Sequence, residues 1–412
     1  MSNYLILAYY FPPDGDIGGR RWAKFAKYLV EDGHDVTILT RSECNSENPR
    51  WYADTASYRG NIETFRNTYP STLQKSNLST IGKVLYRLAL WRVKRNTCGN
   101  YYDPTCLLGE DFINRVRKII LKKKIDITII SGFPFYWQYL VSSLISEFSS
   151  VKFVADFRDP WLNNELGYGY NDLPKNRYLE EQKFERKVIE RYHHIISVSK
   201  EMNDYFEGLL KKKFDTVKFK EIPNGFDPAD KVDCESKPEK KIFVFTGNLY
   251  LGLEYILPEF LRVVQQIETE RPDLDFEFRF YGSAPDYFIN EIKALSKVRF
   301  FGKVSLAEAH QAMGNSAYAV LFLMKDLLFS RSTKFYEYLS YGKKIVLFSS
   351  PGKTADFLVD NNIGYHFSPG EIKNNLIDLI ERDISSVPPE FNVDDFSVAT
   401  IARNLNSFVT EK

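Results

Sequence analysis

Short apolar runs alternate with amphipathic stretches along almost the whole chain. Residues 4–10, 35–40, 125–131, 151–156 and 195–198 read as buried strands, because short continuous apolar runs suit strands covered on both faces. Between them, residues 18–32 place Trp22, Phe25, Ala26 and Leu29 on one helical stripe. Residues 137–147, 175–192 and 200–211 read as further helices. The pattern breaks at Pro223, Asn224, Gly225 and Pro228, and a charged stretch runs on to about Lys240. That composition marks a loop and a domain boundary. The alternation then restarts with strands at 242–245, 276–281, 297–301, 317–322 and 344–348, and with a helix at 258–268 that tolerates proline in its first turn. A last helix, 398–409, follows the loop of Pro388 and Pro389. Such alternation predicts an α/β protein with a doubly wound parallel sheet, built twice. Residues 41–125 read as irregular, except for an amphipathic, basic helix at 84–95.

Composition narrows this picture. A chain of 412 residues, 44% hydrophobic, has room for two cores and excludes disorder as a global state. The 32 Phe read as core, since they are scattered through the strands. A net charge of +1 points to no partner and gives no sign of nucleic-acid binding. The excess of Lys and Arg falls in the first 225 residues, which suits an anionic substrate or surface there. Cys44, Cys98, Cys106 and Cys234 show no metal spacing, which argues for a reducing compartment without disulfides or zinc. The N-terminus enters a strand directly, and no run reaches about 18 apolar residues, so neither a signal peptide nor a membrane span is expected. The expected setting is cytoplasmic. The 84–95 helix offers peripheral contact with an anionic membrane, against the plainer alternative of a solvated face over a core.

The chemistry-bearing motifs sit at predicted strand ends. Residues 330–346 read as a polar loop, a short helix, a stop at Gly342 and a buried strand. Amides of Ser332 and Thr333 at the helix start, with Arg331 and Lys334 beside them, form a phosphate cradle, and Glu337 faces a ribose hydroxyl. Gly18 and Gly19, after Gly15, open the first long helix where backbone can approach a ligand, and Arg21 adds an anion-binding fork. This is not the dinucleotide pattern G-x-G-x-x-G. Asp156, Arg158 and Asp159 end a strand, where either acceptor contact or a structural ion pair is open. Gly247 with Asn248, Gly282 with Ser283, and Gly302 before Lys303 and Val304 form three strand-end turns that outline one nucleotide crevice. His34, His193, His194, His310 and His366 lack metal spacing and read as structural; no metal site is expected. No P-loop appears: Gly352-Lys353-Thr354 reads as a helix start after Pro351.

Taken in order, the pieces at 12–19, 33–36, 156–161, 222–227, 245–247, 302–304 and 332–346 resemble the retaining GT-B glycosyltransferases of family 4, of the bacterial cell-surface polysaccharide type. The resemblance implies two Rossmann-like domains facing a central cleft. It implies an acceptor-binding domain over 1–222, completed by a final helix at about 390–412, and a nucleotide-sugar domain over 223–389. It implies transfer from a nucleotide-diphosphate sugar, without metal, to a glycan or polyprenyl-linked acceptor. Arg331, Lys334 and Glu337 would serve the donor, Asp156 and Arg158 the acceptor. The family's paired glutamates are half present: Glu337 matches the second, and Phe329 stands at the first. Asn248 and Leu253 stand where the family has a basic pair. The alternatives are a nucleotide-sugar epimerase of the same fold and a non-catalytic nucleotide-sugar-binding subunit.

Overall fold

The alternation of apolar and amphipathic stretches becomes two parallel sheets in the computed structural model. The structure describes residues 1–13, 17–42, 51–74, 79–163, 170, 173–210, 218–234, 241–249, 252–325, 327 and 331–411. Gly15, Cys44, Lys211, Tyr250, Phe329 and Ser330, with the charged stretch at 235–240, lie outside the described residues. The chain divides into two compact units, Met1–Pro223 with Ile401–Lys412, and Asn224–Thr400.

In the first unit, strands β1 (Asn3–Leu7), β2 (Asp35–Arg41), β3 (Ile62–Phe65), β4 (Ile127–Gly132), β5 (Lys152–Phe157), β6 (His194–Ser197) and β7 (Phe219–Glu221) run parallel in the order β3-β2-β1-β4-β5-β6-β7. β1 pairs with β2 on one side and β4 on the other, so the winding reverses between β1 and β4. Helices cover both faces, which is why Leu5, Ile6 and Leu7 are all buried in succession. The helix Val398–Thr410 supplies this unit with its residues from Ile401 onward. There Tyr4 donates to Asn406 Oδ1 at 2.6 Å and His194 meets the Phe408 ring edge-on at 4.6 Å.

The second unit repeats the arrangement. Strands β8 (Lys241–Asn248), β9 (Phe276–Ser283), β10 (Val298–Gly302), β11 (Tyr318–Phe322), β12 (Ile345–Phe348) and β13 (Gly364–Phe367) stand in the order β10-β9-β8-β11-β12-β13, and the winding reverses between β8 and β11. Open α/β sheets hold ligands outside the carboxyl ends of the strands at such reversals. Most phenylalanines described in this unit are core, Phe301 being exposed: Phe260 stands edge-on to Phe278, Phe322 and Phe348 at 4.9, 5.4 and 5.2 Å.

Several sequence expectations need correction. β8 and β9 run on to Asn248 and Ser283, so Gly247 and Gly282 are strand residues in register with each other, not turns beyond the strands. The described residues between 41 and 125 are not irregular throughout. They contain β3 and a helix, Glu110–Lys123, whose Phe112, Ile113, Val116, Ile119 and Ile120 are buried. β3, β7 and β13 escape a search for apolar runs because each is only three or four residues long and carries exposed or polar positions. A helix does begin after Gly352, at Lys353–Asp360.

Candidate functional site

The carboxyl end of β8 is closely packed. The helix Thr333–Ser340, in the connection from β11 to β12, is tied to it by one side chain. Tyr338 is fully buried, and its hydroxyl accepts from the Thr246 amide at 2.9 Å and lies 3.2 Å from Thr246 Oγ1. Burial pushes that phenol above its usual range, so it stays a neutral anchor. Lys334 precedes Tyr338 by four residues and shares its helix face. Its stem lies over Gly247: a Cβ there would stand 2.8 Å from Lys334 Cε and 3.9 Å from Nζ. Gly247 also has φ +139°, which disfavours any side chain. Across the ladder, a Cβ on Gly282 would lie 1.8 Å from the Gly247 carbonyl oxygen. Ser283 closes the strand ends by donating its hydroxyl to Asn248 Oδ1 at 2.6 Å, and its carbonyl accepts from Leu249 N at 2.8 Å.

The structure therefore brings together Gly247, Asn248, Gly282, Ser283 and Lys334. Ser332 and Thr333 follow at the positive end of the same helix, which the Ser332 hydroxyl does not cap. Three other candidates stand differently. Arg331 lies over the Phe357 ring at 4.5 Å, and its Nε donates to the Tyr336 hydroxyl at 3.3 Å. Glu337 is 6% exposed. Lys303 and Val304 follow β10, which β9 separates from β8. The anchor Tyr338 was missed by sequence reading, although its spacing from Lys334 was visible.

In the first unit the structure overturns the expected roles. Asp156 is fully buried and its carboxylate is saturated. Oδ1 accepts from Arg21 at 3.0 Å; Oδ2 accepts from Trp22 Nε1 at 2.8 Å and Ser131 Oγ at 2.9 Å. Arg21 also donates to the Ile222 and Pro223 carbonyls, at 2.9 and 3.0 Å, and lies over the Phe25 ring at 4.7 Å. An acceptor-orienting Asp156 and a phosphate-binding Arg21 do not fit this closed network. Arg158 is likewise a staple: Nε, Nη1 and Nη2 donate to the carbonyls of Gly132, Gly18 and Phe133 at 2.9, 2.7 and 3.0 Å. It spans the reversal between β1 and β4. A Cβ on Gly18 would stand 3.3 Å from Arg158 Nη1, and one on Gly19 3.3 Å from Phe11 Cα, so both glycines are closely approached by this chain itself.

Asp159, the next acidic residue, is half-buried, and no hydrogen bond reaches its carboxyl among the described residues. Desolvation pushes that carboxyl up; the Arg158 guanidinium opposes the rise and Asp156 adds to it. It is the strand-end carboxyl left open to chemistry. Among the described residues, no group of three or more His, Cys, Asp or Glu could hold a metal ion.

The family model described as Glycosyltransferase Family 4 matches residues 18–230. The chain belongs to glycosyltransferase family 4. It is therefore a transferase by family, built on the GT-B pair of Rossmann-like domains. No curated protein matches it by sequence. Solved structures with the same fold are distant. An E. coli trehalose-6-phosphate structure bound with UDP-2-fluoro glucose is 10% identical, with TM-score 0.62 over 100% of this chain and 99% of that one. A variant of S. aureus TarM in complex with fondaparinux, alpha-GlcNAc-glycerol and UDP is 12% identical, with TM-score 0.58 over 100% of both chains. A putative UDP-N-acetylglucosamine 2-epimerase from Listeria monocytogenes is 10% identical, with TM-score 0.56 over 99% of this chain and 95% of that one.

Proposed function

We propose that this family 4 glycosyltransferase moves a sugar, with retention at the anomeric carbon, from a nucleotide-diphosphate sugar to a glycan or lipid-linked acceptor in surface polysaccharide assembly such as lipopolysaccharide or capsule. The observation that carries the reading is Lys334, held over Gly247 at the reversal point of the second sheet. In this reading the Lys334 ammonium and the first amides of its helix take the donor's diphosphate, and Glu337 takes the ribose. As the bond from the anomeric carbon to the diphosphate breaks, the acceptor hydroxyl bonds to that carbon from the same face. Its proton passes to the leaving phosphate. The helix and Lys334 meet the charge that grows there, so no resident metal is invoked. Asp159 is the side chain we assign to the acceptor hydroxyl. Incubation of donor and acceptor, with products separated by mass, tests transfer. A new sugar isomer formed without acceptor would mark an epimerase instead, and nucleotide-sugar binding without turnover would mark a non-catalytic subunit.

The lipid-linked acceptor and the membrane contact draw support from the helix Thr80–Asn96. Ile81, Val84, Leu85, Leu88 and Trp91 line one face of it and are 50–76% exposed. Lys83, Arg87, Arg92, Lys94 and Arg95 accompany them with no acidic residue in the helix. Exposed apolar seams with basic flanks seat helices in the headgroup region of anionic bilayers. No helix among the described residues is long and apolar enough to cross a membrane.

A further inference from the structure

A second candidate site lies in the first unit, outside the carboxyl end of β3. A cavity of about 810 Å³ opens there between residues 64–68 and the start of the helix Glu110–Lys123. That volume is within the range of ligand sites, roughly 300–1,000 Å³. Its floor is apolar. Phe65, Leu108 and Phe112 are buried, with the two rings edge-on at 5.0 Å. Its rim is polar and exposed, with Arg66, Asp111 and Glu110 beside Arg115, which also pairs with Glu63 at 2.9 Å. The helix starts at Gly109 without a side-chain cap. One group in the wall is unspent. Asn67 is 6% exposed; its Oδ1 accepts from the Tyr69 amide at 3.1 Å, while its buried Nδ2 has no partner among the described residues. A buried amide without a partner is costly unless a ligand supplies the acceptor.

We propose that this cavity binds a neutral oligosaccharide, the remote part of the acceptor glycan. The inference rests on the transferase reading only for the word acceptor. An apolar floor suits the C–H face of a sugar ring. Carboxylates, guanidinium groups and an amide around it suit hydroxyls, which both donate and accept. Two cations balanced by two carboxylates on one rim argue against an anion as the occupant. A volume of this size takes several sugar units rather than one.

The test uses the full chain with chitohexaose, maltohexaose and cellohexaose as probes. Saturation-transfer NMR on the wild type should show contact with at least one hexamer, and Arg66→Ala with Asp111→Ala should weaken it about tenfold. Both residues are exposed, so thermal unfolding should confirm that the variant folds. In transfer assays, the same variant should lower the ratio of kcat/KM for a long acceptor over a short one about tenfold. Asn67→Ala should weaken binding as well. No saturation transfer to any hexamer overturns the proposal, as does binding indifferent to the rim substitutions. Displacement by inorganic phosphate but not by sugar also overturns it. A chain that binds hexamers but transfers no sugar would keep this site and refute the transferase reading; one that transfers with an unchanged long-to-short ratio would do the opposite.

Discussion

Gly247→Ala puts a methyl group where the Lys334 stem now lies. The new Cβ would stand 2.8 Å from Cε and 3.3 Å from Cδ, against an optimum near ~3.5–4.0 Å for carbon contacts. The flexible stem must therefore yield by about 1 Å. If the ammonium drifts from roughly 3 to 4 Å from a phosphate oxygen, the attraction at an effective dielectric near 20 falls by about 1.4 kcal/mol, or tenfold in rate. The backbone at φ +139° adds strain of about 1–2 kcal/mol, a Tm loss of several degrees. Lys334→Ala alone should cost about 10²–10³ in kcat. The decisive assay is a double-mutant cycle on kcat/KM for the nucleotide sugar. Gly247→Ala should cost about tenfold in the wild type and less than about threefold in Lys334→Ala, an interaction of the size expected for groups in contact. An equal loss in both backgrounds would refute the idea that Gly247 acts by placing Lys334. Gly282→Ala is the contrasting control. Its Cβ would meet the Gly247 carbonyl at 1.8 Å, backbone that cannot swing away, so folding itself should fail.

Other outcomes follow from the buried groups. Asp156→Asn should lower Tm by about 10 °C, since breaking a buried pair costs about 3–5 kcal/mol; an unchanged Tm with lost turnover would restore a catalytic Asp156. Asp159→Asn should lower kcat without loss of Tm and should remove the acid limb of the wild-type pH profile, because that limb belongs to a carboxyl held above its usual range. Glu185 is buried with Tyr205 donating to it at 2.9 Å, and burial pushes its carboxyl up to about 7 from an ordinary 4.5. The folded state then binds its proton more tightly than the unfolded one, so this group's cost is absent below pH 4.5, grows as pH rises through the window, and is full above about 7. Glu185→Gln should gain up to about 3 kcal/mol by denaturant unfolding at pH 8.5 and nothing at pH 4. Leu88→Glu with Trp91→Glu should abolish sedimentation with anionic vesicles and leave the chain folded; unchanged sedimentation would remove this helix from any membrane contact.

The doubly wound fold was legible because apolar runs and helical stripes alternate from Tyr4 to Phe348. What escaped was short or half-exposed, such as β3, where Ile62 and Glu63 are half-buried and Thr64 is exposed. The helix Glu110–Lys123 is a different case, since its apolar spacing is readable but lies within a basic stretch. At the site, Gly247 and Gly282 lie inside β8 and β9 and not in turns beyond them, because the two strands stay paired as far as Asn248 and Ser283. Charged residues in the first unit did not behave as their type suggests. Sequence shows that Arg21 carries charge at a helix start and Asp156 and Arg158 at a strand end, but not that three neighbours saturate Asp156 or that three carbonyls consume Arg158. Those partners come from two stretches far apart along the chain, Gly18 to Trp22 and Ser131 to Phe133, and only the fold brings them to Asp156 and Arg158.

The central claim is that the carboxyl end of β8, under Lys334, holds a nucleotide diphosphate. The most direct measurement is thermal unfolding of the wild type and Lys334→Ala with UDP, GDP, CMP, ADP and dTDP, and with NAD as control. At about 100 times Kd, binding adds roughly 2.7 kcal/mol, so the account predicts a Tm rise of several degrees with one nucleoside diphosphate, largely lost in Lys334→Ala. No rise with any nucleotide, or the same rise in both proteins, would contradict it.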